Sequence, residues 1–297
     1  MIDRIADNAH NTRLTGYLQS TQTRMRETQL SISTGKSAQR FADIADQARL
    51  LTATRHESRV LEERLVQDRI GVDRLTAMSG ALEGVGNVVE RLRALTVQRL
   101  SGAAGKEVPL ASEIDSMLQE IAGRLNVSLD GRHLFAGSRT GTAPIDMPAS
   151  VSSAADLANV FVGDTQHLAI RIDDGATLEV PLTADDFVPL LETMADLKAA
   201  HQAGDVQALQ TGLAALTGHV AEVAAHRGTL GVETARLESI TEGHAAELDY
   251  LTQVVSRIED TDLPSAMTRL AQDRTTLEAA YATIAQLGRL SLADYLR

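Results

Sequence analysis

Apolar residues recur at intervals of three and four along both ends of the chain, which predicts long amphipathic helices that pack through a narrow stripe. At the C-terminal end the stripe is a seven-residue repeat, with a second row three residues further on. The repeat consists of Leu263, Leu270, Leu277 and Ile284, and the second row of Ala266, Asp273, Ala280 and Leu287. Because so narrow a stripe is not stable alone in water, it needs a partner helix.

The N-terminal end supplies that partner. Four apolar residues follow the same spacing there, with threonines in the intervening positions: Leu14, Leu18, Met25 and Ile32. Longer inner stripes run from Leu51 to Val89 and from Leu237 to Ile258. Each end of the chain therefore has a short terminal helix and a longer inner one, and we expect the N- and C-terminal arms to pair as a helical bundle.

Residues that favour helix ends mark the breaks in the N-terminal half. The first helix is predicted from about Ile5 to Ile32, and Gly35 suits the left-handed position that follows a helix. After a short polar segment, a long helix is predicted to run to about Leu100. Pro109 is expected to open a third helix, since a proline costs little in a first turn.

The pattern changes at residue 130, where glycine and proline become frequent and the hydrophobic period falls towards two. The alternating apolar residues are Leu168, Ile170 and Ile172, followed by Leu178, Val180 and Leu182. Asp174-Gly175 between them is a strong signal for a two-residue hairpin turn. We therefore predict a small β-rich insertion over residues 130–190.

Helical spacing returns after the insertion. Helices are predicted at about 190–200 and 206–225, and a further long helix begins near Gly228. A break follows at Asp260–Pro264. There Asp262 is expected to cap the last helix, and Pro264 to lie in its first turn.

These elements predict a mainly α fold, in which the N- and C-terminal arms form a long antiparallel helical bundle or coiled coil with a small β-rich inserted domain. The predicted domains are a terminal helical assembly region at 1–45 and 260–297, a helical bundle core at 46–129 and 191–259, and an outer insertion at 130–190.

Composition supports thin helical packing over a deep globular core. Aromatic residues make up 3% of the 297 residues, and tryptophan and cysteine are absent. The missing cysteine excludes disulfides and thiolate metal sites. The net charge of -12 divides into +1 for residues 1–129, -6 for 130–190 and -7 for 191–297. An arginine-rich arm is thus complementary to an acidic one, and the overall sign is wrong for nucleic acid.

Candidate catalytic and binding motifs give no support for an enzyme. Gly35-Lys36-Ser37 resembles the end of a phosphate loop, but Leu30 stands where that motif requires a glycine. His244 lies within the helical stripe, where a tolerated polar residue is favoured over a metal ligand. We expect no catalytic residue, no metal and no cofactor. The sequence has no apolar run that reaches the length of a membrane span, and its first residues do not form an ordinary secretory signal.

Four segments, in this order along the chain, resemble signature segments of the flagellin family. They are Thr28–Lys36, Asp130–Ser138, Arg257–Ala266 and Leu290–Arg297. The second is similar to the Asn-Gly-Arg-Tyr-Leu-Phe-Ala-Gly-Thr signature of the hook-filament junction members of that family, the hook-associated protein 3 type. The chain departs from the family at Phe41–Asp46, which replaces the usual Asp-Asp-Pro-Ala.

The resemblance implies a structural axial protein of the bacterial flagellum that joins hook to filament by helical subunit assembly. The alternative is a short flagellin that forms the filament itself, and a generic coiled-coil adaptor is a third interpretation. The implied location is extracellular, after type III export without a cleaved signal peptide. Implied partners are other copies of the chain, an adjacent hook-associated protein, flagellin and an export chaperone, with no nucleic acid and no membrane.

The expected assembly interface is the stripe on the two terminal helices. Its predicted residues are Leu14, Leu18, Met25, Ile32, Leu263, Leu270, Leu277, Ile284, Leu287, Leu292 and Tyr295.

Overall fold

The structure is a computed structural model. It describes the backbone of residues 2–38, 44–101, 109–173, 176–180 and 182–295, and the side chains of these residues except 2–11, 168, 173, 176 and 287–295.

Six helices account for most of the described residues. They are α1 (Ile2–Thr34), α2 (Ala45–Leu100), α3 (Leu110–Leu125), α4 (Val188–Ala203), α5 (Val206–Glu259) and α6 (Leu263–Tyr295). The strands are β1 (Ser128–Leu129), β2 (Arg132–His133), β3 (Leu168–Asp173) and β4 (Ala176–Val180). The mainly α class with a small β region is confirmed.

The helix ends lie where the capping residues predict them. Gly35 follows α1 with a φ of 71° and donates its N–H to the carbonyl of Ser31 at 2.9 Å. At the start of α6 the Asp262 carboxylate accepts the N–H of Ser265 at 3.3 Å, which satisfies one free donor of the first turn. Pro109 directly precedes α3, as expected.

One predicted boundary is wrong. The helix predicted to end near residue 225 and the one predicted to begin near Gly228 are a single helix of 54 residues, α5. A glycine inside a helix costs about 1 kcal/mol relative to alanine. Burial of Leu230 and Leu237 on the same helix offsets that cost, because both side chains are almost fully removed from water.

The chain divides into two compact units. The larger unit is Leu61–Ala246, and the smaller unit combines the residues up to Val60 with those from Glu247. The boundary falls within α2 and α5. Each unit is described separately below.

The larger unit contains a continuous apolar core. One face of α3 is fully buried in it, as its spacing predicts: Leu110, Ile114, Met117, Ile121 and Leu125. Phe135 and Phe187 meet there edge to face, with ring centroids 6.4 Å apart. Two of the four phenylalanines of the chain therefore lie where the helical bundle meets the insertion.

The insertion has little regular β structure. β1 pairs with β2 and β3 with β4, both antiparallel, and the other described residues form two 3-10 helices, at Ala154–Leu157 and Ala184–Phe187, turns and irregular segments. Ile170, Ile172, Leu178 and Val180 are buried, which confirms the predicted alternation. The predicted Asp174-Gly175 turn lies outside the described residues.

Candidate assembly surface

The terminal helices α1 and α6 pack against each other in antiparallel orientation. Three side-chain contacts establish this, because the partner's number falls as the α1 number rises. Gln22 bonds to Tyr281, and Arg24 to Asp273. Beyond the end of α1, Lys36 bonds to Asp260. The pairing of the N- and C-terminal arms expected from their stripes is therefore present within one chain.

The predicted interface residues line this intramolecular contact to different depths. On α6, Leu277 is buried, Leu270 and Ile284 are half-buried, and Leu263 is 42% exposed. On α1, all four predicted residues are half-buried: Leu14, Leu18, Met25 and Ile32. The side chains of Leu287, Leu292 and Tyr295 lie outside the described ones.

An ion pair occupies the position where an acid interrupts the α6 stripe. Asp273 is 7% exposed, and Arg24 binds it with two nitrogens, at 3.0 Å from Nε to Oδ2 and 2.6 Å from Nη2 to Oδ1. These hydrogen bonds and the guanidinium charge hold the pKa of Asp273 below its usual range. The bidentate geometry fixes the relative position of the helices more than it stabilises them, since Arg24 remains largely exposed.

The two breaks in the smaller unit, after α1 and before α6, are bonded to each other. The Ser37 N–H donates to the Glu259 carbonyl at 2.6 Å, and the Thr261 N–H donates to the Gly35 carbonyl at 2.9 Å. Lys36 and Asp260 lie opposite each other in an antiparallel bridge. The unpaired backbone groups at two helix ends are thus satisfied by one another, which makes the two breaks a single joint.

Charged side chains cover this joint. Lys36 Nζ donates to Asp260 Oδ1 at 2.8 Å and to Glu259 Oε2 at 3.2 Å, and Arg55 also pairs with Glu259. The Lys36 and Ser256 hydrogen bonds lower the pKa of Asp260. Gly35-Lys36-Ser37 is therefore a helix end with an ion-paired lysine, as the helix-cap interpretation predicts.

The two flanks of the α1–α6 pair differ in polarity. One flank of α6 carries three exposed large residues, Leu263, Met267 and Tyr281, which are 42%, 57% and 50% exposed. The other flank is a polar groove of about 310 Å³ lined by Arg24, Glu27, Thr28, Ser31, Ser37, Thr261, Asp262, Ser265, Ala266 and Arg269. The sequence stripe did not single out Met267 and Tyr281, because they lie beside the heptad positions.

The Asp130–Ser138 segment is a folded part of the larger unit. Asp130 and Gly131 have φ angles of 52° and 73° and form the two-residue turn between β1 and β2, which the sequence reading missed. Phe135 is fully buried. Gly137 has a φ of 63°, and a Cβ at that position would lie 2.1 Å from the Asp164 carbonyl oxygen.

Asp164 holds the end of this segment. Its carboxylate accepts the backbone N–H of Ser138 at 2.8 Å and also the Ser138 hydroxyl. These bonds lower the pKa of Asp164. Asp130–Ser138 is therefore a folded structural element with a buried part at residues 134–137, and its sequence is dictated by turn geometry and packing.

The described residues contain no group of three or more His, Asp or Glu side chains placed to hold a metal. Among the same residues, no helix is long and apolar enough to cross a membrane. His244 binds the buried Asp68, with 2.8 Å between Nδ1 and Oδ2. His226 packs on Phe187, with ring centroids 5.6 Å apart.

The chain has paired terminal helices, long inner helices and a folded insertion. This architecture is typical of helical axial subunits, which assemble into tubular structures. Family comparison agrees with this class. Residues 5–140 match the bacterial flagellin N-terminal helical region, and residues 213–296 match the flagellin C-terminal helical region. The two matches together cover most of the chain, which belongs to the flagellin family. Members of this family are structural proteins of the flagellum.

Individual relatives are distant. The chain is 20% identical over 259 residues to the flagellar filament 30.7 kDa core protein of Treponema maltophilum, covering 86% of this chain and 85% of that protein. A Vibrio parahaemolyticus protein assigned as a flagellar hook-associated protein has a similar fold, with a TM-score of 0.59, 16% identity, and coverage of 73% of this chain and all of that one. Bacillus cereus FlgL also has a similar fold, with a TM-score of 0.57 and 18% identity, over 70% of this chain and 99% of that one.

Proposed function

We propose that this chain is a hook-filament junction subunit, a structural protein that joins the flagellar hook to the filament by helical assembly and carries out no catalysis. The observation that carries this proposal is the fold: the solved FlgL and hook-associated structures are matched over essentially their whole length. The folded Asp130–Ser138 element supports it. In this proposal the protein works outside the cell after export by a chaperone-assisted route.

The proposed assembly surface is the α1–α6 pair, and its occupant is a neighbouring subunit. Three large side chains on one flank, Leu263, Met267 and Tyr281, remain 42–57% exposed in the part of the chain that the structure describes. Burying them against a second subunit would contribute roughly 25 cal/mol per Å² of apolar area. The stripe residues that are half-buried within the chain are the second part of this surface: Leu14, Leu18, Met25, Ile32, Leu270 and Ile284.

A filament subunit is the second candidate. It is favoured by the Treponema maltophilum relative, which is a filament core protein matched over most of both chains. A head-to-tail contact produces an unlimited filament when it is self-complementary and a finite layer when the next partner is a different protein. The two candidates therefore differ in where assembly stops.

Deletion of the gene in the source bacterium separates the candidates. If the chain is a junction subunit, its deletion should leave hooks in place, and filament protein should be secreted into the medium instead of polymerised. Gold-labelled antibody against this chain should then mark only the hook end of wild-type flagella. Label along the whole filament would contradict the junction proposal and support the filament one.

The assembly surface has its own test. Leu277→Asp with Ile284→Asp puts two charges into the α1–α6 contact and leaves the larger unit untouched. We expect normal secretion and normal core helicity, but loss of incorporation and swimming. The control is Arg274→Asp with Glu278→Arg, which reverses the exposed pair at 3.0 Å on the same helix. If the Leu277 and Ile284 variant still swims, this surface is not used for assembly.

A further inference from the structure

Asp68 and His244 interrupt two otherwise regular heptad rows in the larger unit. On α2 the row is Leu61, Asp68, Leu75, Leu82, Val89 and Thr96; on α5 it is Leu209, Leu216, Val223, Leu230, Leu237 and His244. All except His244 are buried. The rows lie wholly within the described residues, and Asp68 and His244 are their only ionisable members.

The two rows face each other in antiparallel orientation. His244 Nδ1 lies 2.8 Å from Asp68 Oδ2. Further along, a Cβ at Gly71 would lie 2.7 Å from Leu237, and one at Gly86 would lie 3.5 Å from Val223. Between Asp68 and Thr96, each α2 heptad residue is therefore level with one α5 heptad residue between His244 and Leu216.

The apolar positions alone do not define this alignment. If α5 were displaced by seven residues, leucine or valine would still face leucine or valine over most of the contact, at a different axial level by about 10 Å. The two ionisable residues change this. The same displacement would place Leu237 opposite Asp68 and leave His244 opposite Leu61.

Such a mismatch is unfavourable because the Asp68 side chain is 1% exposed, and among the described residues its Oδ1 has no hydrogen-bond partner, so the carboxylate depends on His244 at Oδ2. Replacing the imidazole by an isobutyl group removes a hydrogen bond from a carboxylate that water does not reach. A single polar residue in an apolar heptad seam is known to select one register in coiled coils, at some cost in stability.

We propose that the Asp68–His244 pair selects the register of α2 against α5 by excluding seven-residue displacements, and that it is retained for this selection and not for stability. The two-residue connection between α4 and α5, Gly204 and Asp205, restrains α5 once α4 has docked. The pair therefore acts while the two long helices first meet during folding. This proposal does not depend on the function proposed above.

The absence of cysteine from the chain allows a direct test by disulfide trapping. Gly86→Cys with Val223→Cys reports the native register. Gly86→Cys with Leu216→Cys reports a displacement of seven residues, because in the native register these positions lie about 10 Å apart along the seam, beyond the reach of a disulfide. Each pair is refolded from urea under oxidising conditions, and the closed form is counted by gel mobility.

With Asp68 and His244 present, we expect the native pair to close at least about tenfold more than the displaced pair, because a hydrogen bond to a charged group is worth roughly that factor or more. In the Asp68→Leu, His244→Leu background the ratio should fall to within about threefold, with the thermal midpoint unchanged or raised. Unchanged discrimination in that background would overturn the proposal.

Two further backgrounds keep the test decisive if the leucine variant folds poorly. The exchange Asp68→His with His244→Asp preserves the pair and should preserve native discrimination. Leu61→Asp with Asp68→Leu moves the acid by one heptad, opposite a displaced His244, and should shift closure towards the Leu216→Cys pair. If the exchange loses discrimination, or the moved acid leaves closure native, the pair does not select the register.

Discussion

The larger unit and the α1–α6 pair have the same heptad spacing, but they bury the side chains at the heptad positions to different extents. In the larger unit almost every heptad residue is fully buried, because α2 and α5 are joined there by α3, α4 and the insertion. In the terminal pair only Leu277 is buried among the large apolar stripe residues whose side chains are described, together with the smaller Ala266 and the ion-paired Asp273. Two helices alone cannot enclose a stripe, so identical spacing gives a core in one place and an incomplete contact in the other.

This difference explains where polar contacts appear. The register of the terminal pair depends on ion pairs with one exposed partner, such as Arg24–Asp273. The larger unit depends on apolar packing with a few buried polar contacts, such as the 2.6 Å hydrogen bond that Lys198 Nζ donates to the Val151 carbonyl. The apolar core of the larger unit is formed within one chain. The terminal pair leaves part of its stripe exposed, which is the basis of the assembly surface proposed above.

The largest expected loss of stability follows from the removal of a buried aromatic ring. Phe135→Ala should lower the free energy of unfolding by about 3–5 kcal/mol, since it leaves a cavity beside Phe187. Leu277→Ala should cost about 2 kcal/mol at most, because its half-exposed neighbours can close around the gap. Urea unfolding followed by far-UV circular dichroism measures both. Equal shifts of the main transition would mean that the two regions have equally complete cores.

A smaller effect is expected at the two left-handed glycines of the Asp130–Ser138 segment. Gly137→Ala should cost roughly 2–4 kcal/mol, combining the unfavourable φ with the clash against the Asp164 carbonyl. Gly131→Ala is the matched control, because its φ is similarly positive but no atom lies within 4 Å of the new Cβ. It should cost about 1 kcal/mol in the same urea titration. If the two cost the same, close packing at Asp164 is not the reason for glycine.

Limited trypsin digestion of the dilute subunit compares local opening in the two regions. Cleavage at Arg13, Arg24 and Arg269 in the terminal helices should be at least about tenfold faster than at Arg91 or Arg124, since thinly packed helices open locally at lower free energy. Mass spectrometry of the early fragments gives both rates. Protection of the terminal sites equal to that of Arg91 would show that the pair is stable without a neighbour.

The smallest effect is a dependence on pH at the ion pairs of the smaller unit. The pKa values of Asp273 and Asp260 are lowered by their partners, so the stabilisation is complete above the unfolded aspartate pKa of about 3.9 and is lost as the pH falls through the folded values. Because the partners are exposed, the loss should be below about 1 kcal/mol per pair. The tryptic rates cannot be followed in acid, so pepsin cleavage between pH 4.5 and 2 is the measurement. Asp273→Asn should flatten the profile for α1 and α6, and leave cleavage in the larger unit unchanged.

The sequence predicted those parts of the fold that depend on local chemistry. Gly35, Pro109 and Asp262 mark helix ends in the structure because capping is decided within a few residues. Features decided by distant residues were not predicted. The continuity of α5 through Gly228 depends on packing against α2, and the Asp68–His244 contact joins residues 176 positions apart.

The candidate surface was also predicted only in part. Heptad spacing identified the stripe on α1 and α6, and the complementary charge of the arms agrees with the Arg24–Asp273 pair. Spacing could not distinguish contacts within a chain from contacts between chains. For that reason it did not single out Met267 and Tyr281, whose exposure becomes visible only when the helices are paired.

The joint at Gly35–Ser37 and Glu259–Thr261 has a consequence for how the length of this protein can change. The helices α1 and α6 extend from that joint and are each 33 residues long, about 50 Å. A deletion of one heptad in α1 would leave the last two turns of α6 without a partner, and the reverse is also true. Lengthening or shortening of one terminal helix should therefore be tolerated only when α1 and α6 change by the same number of residues.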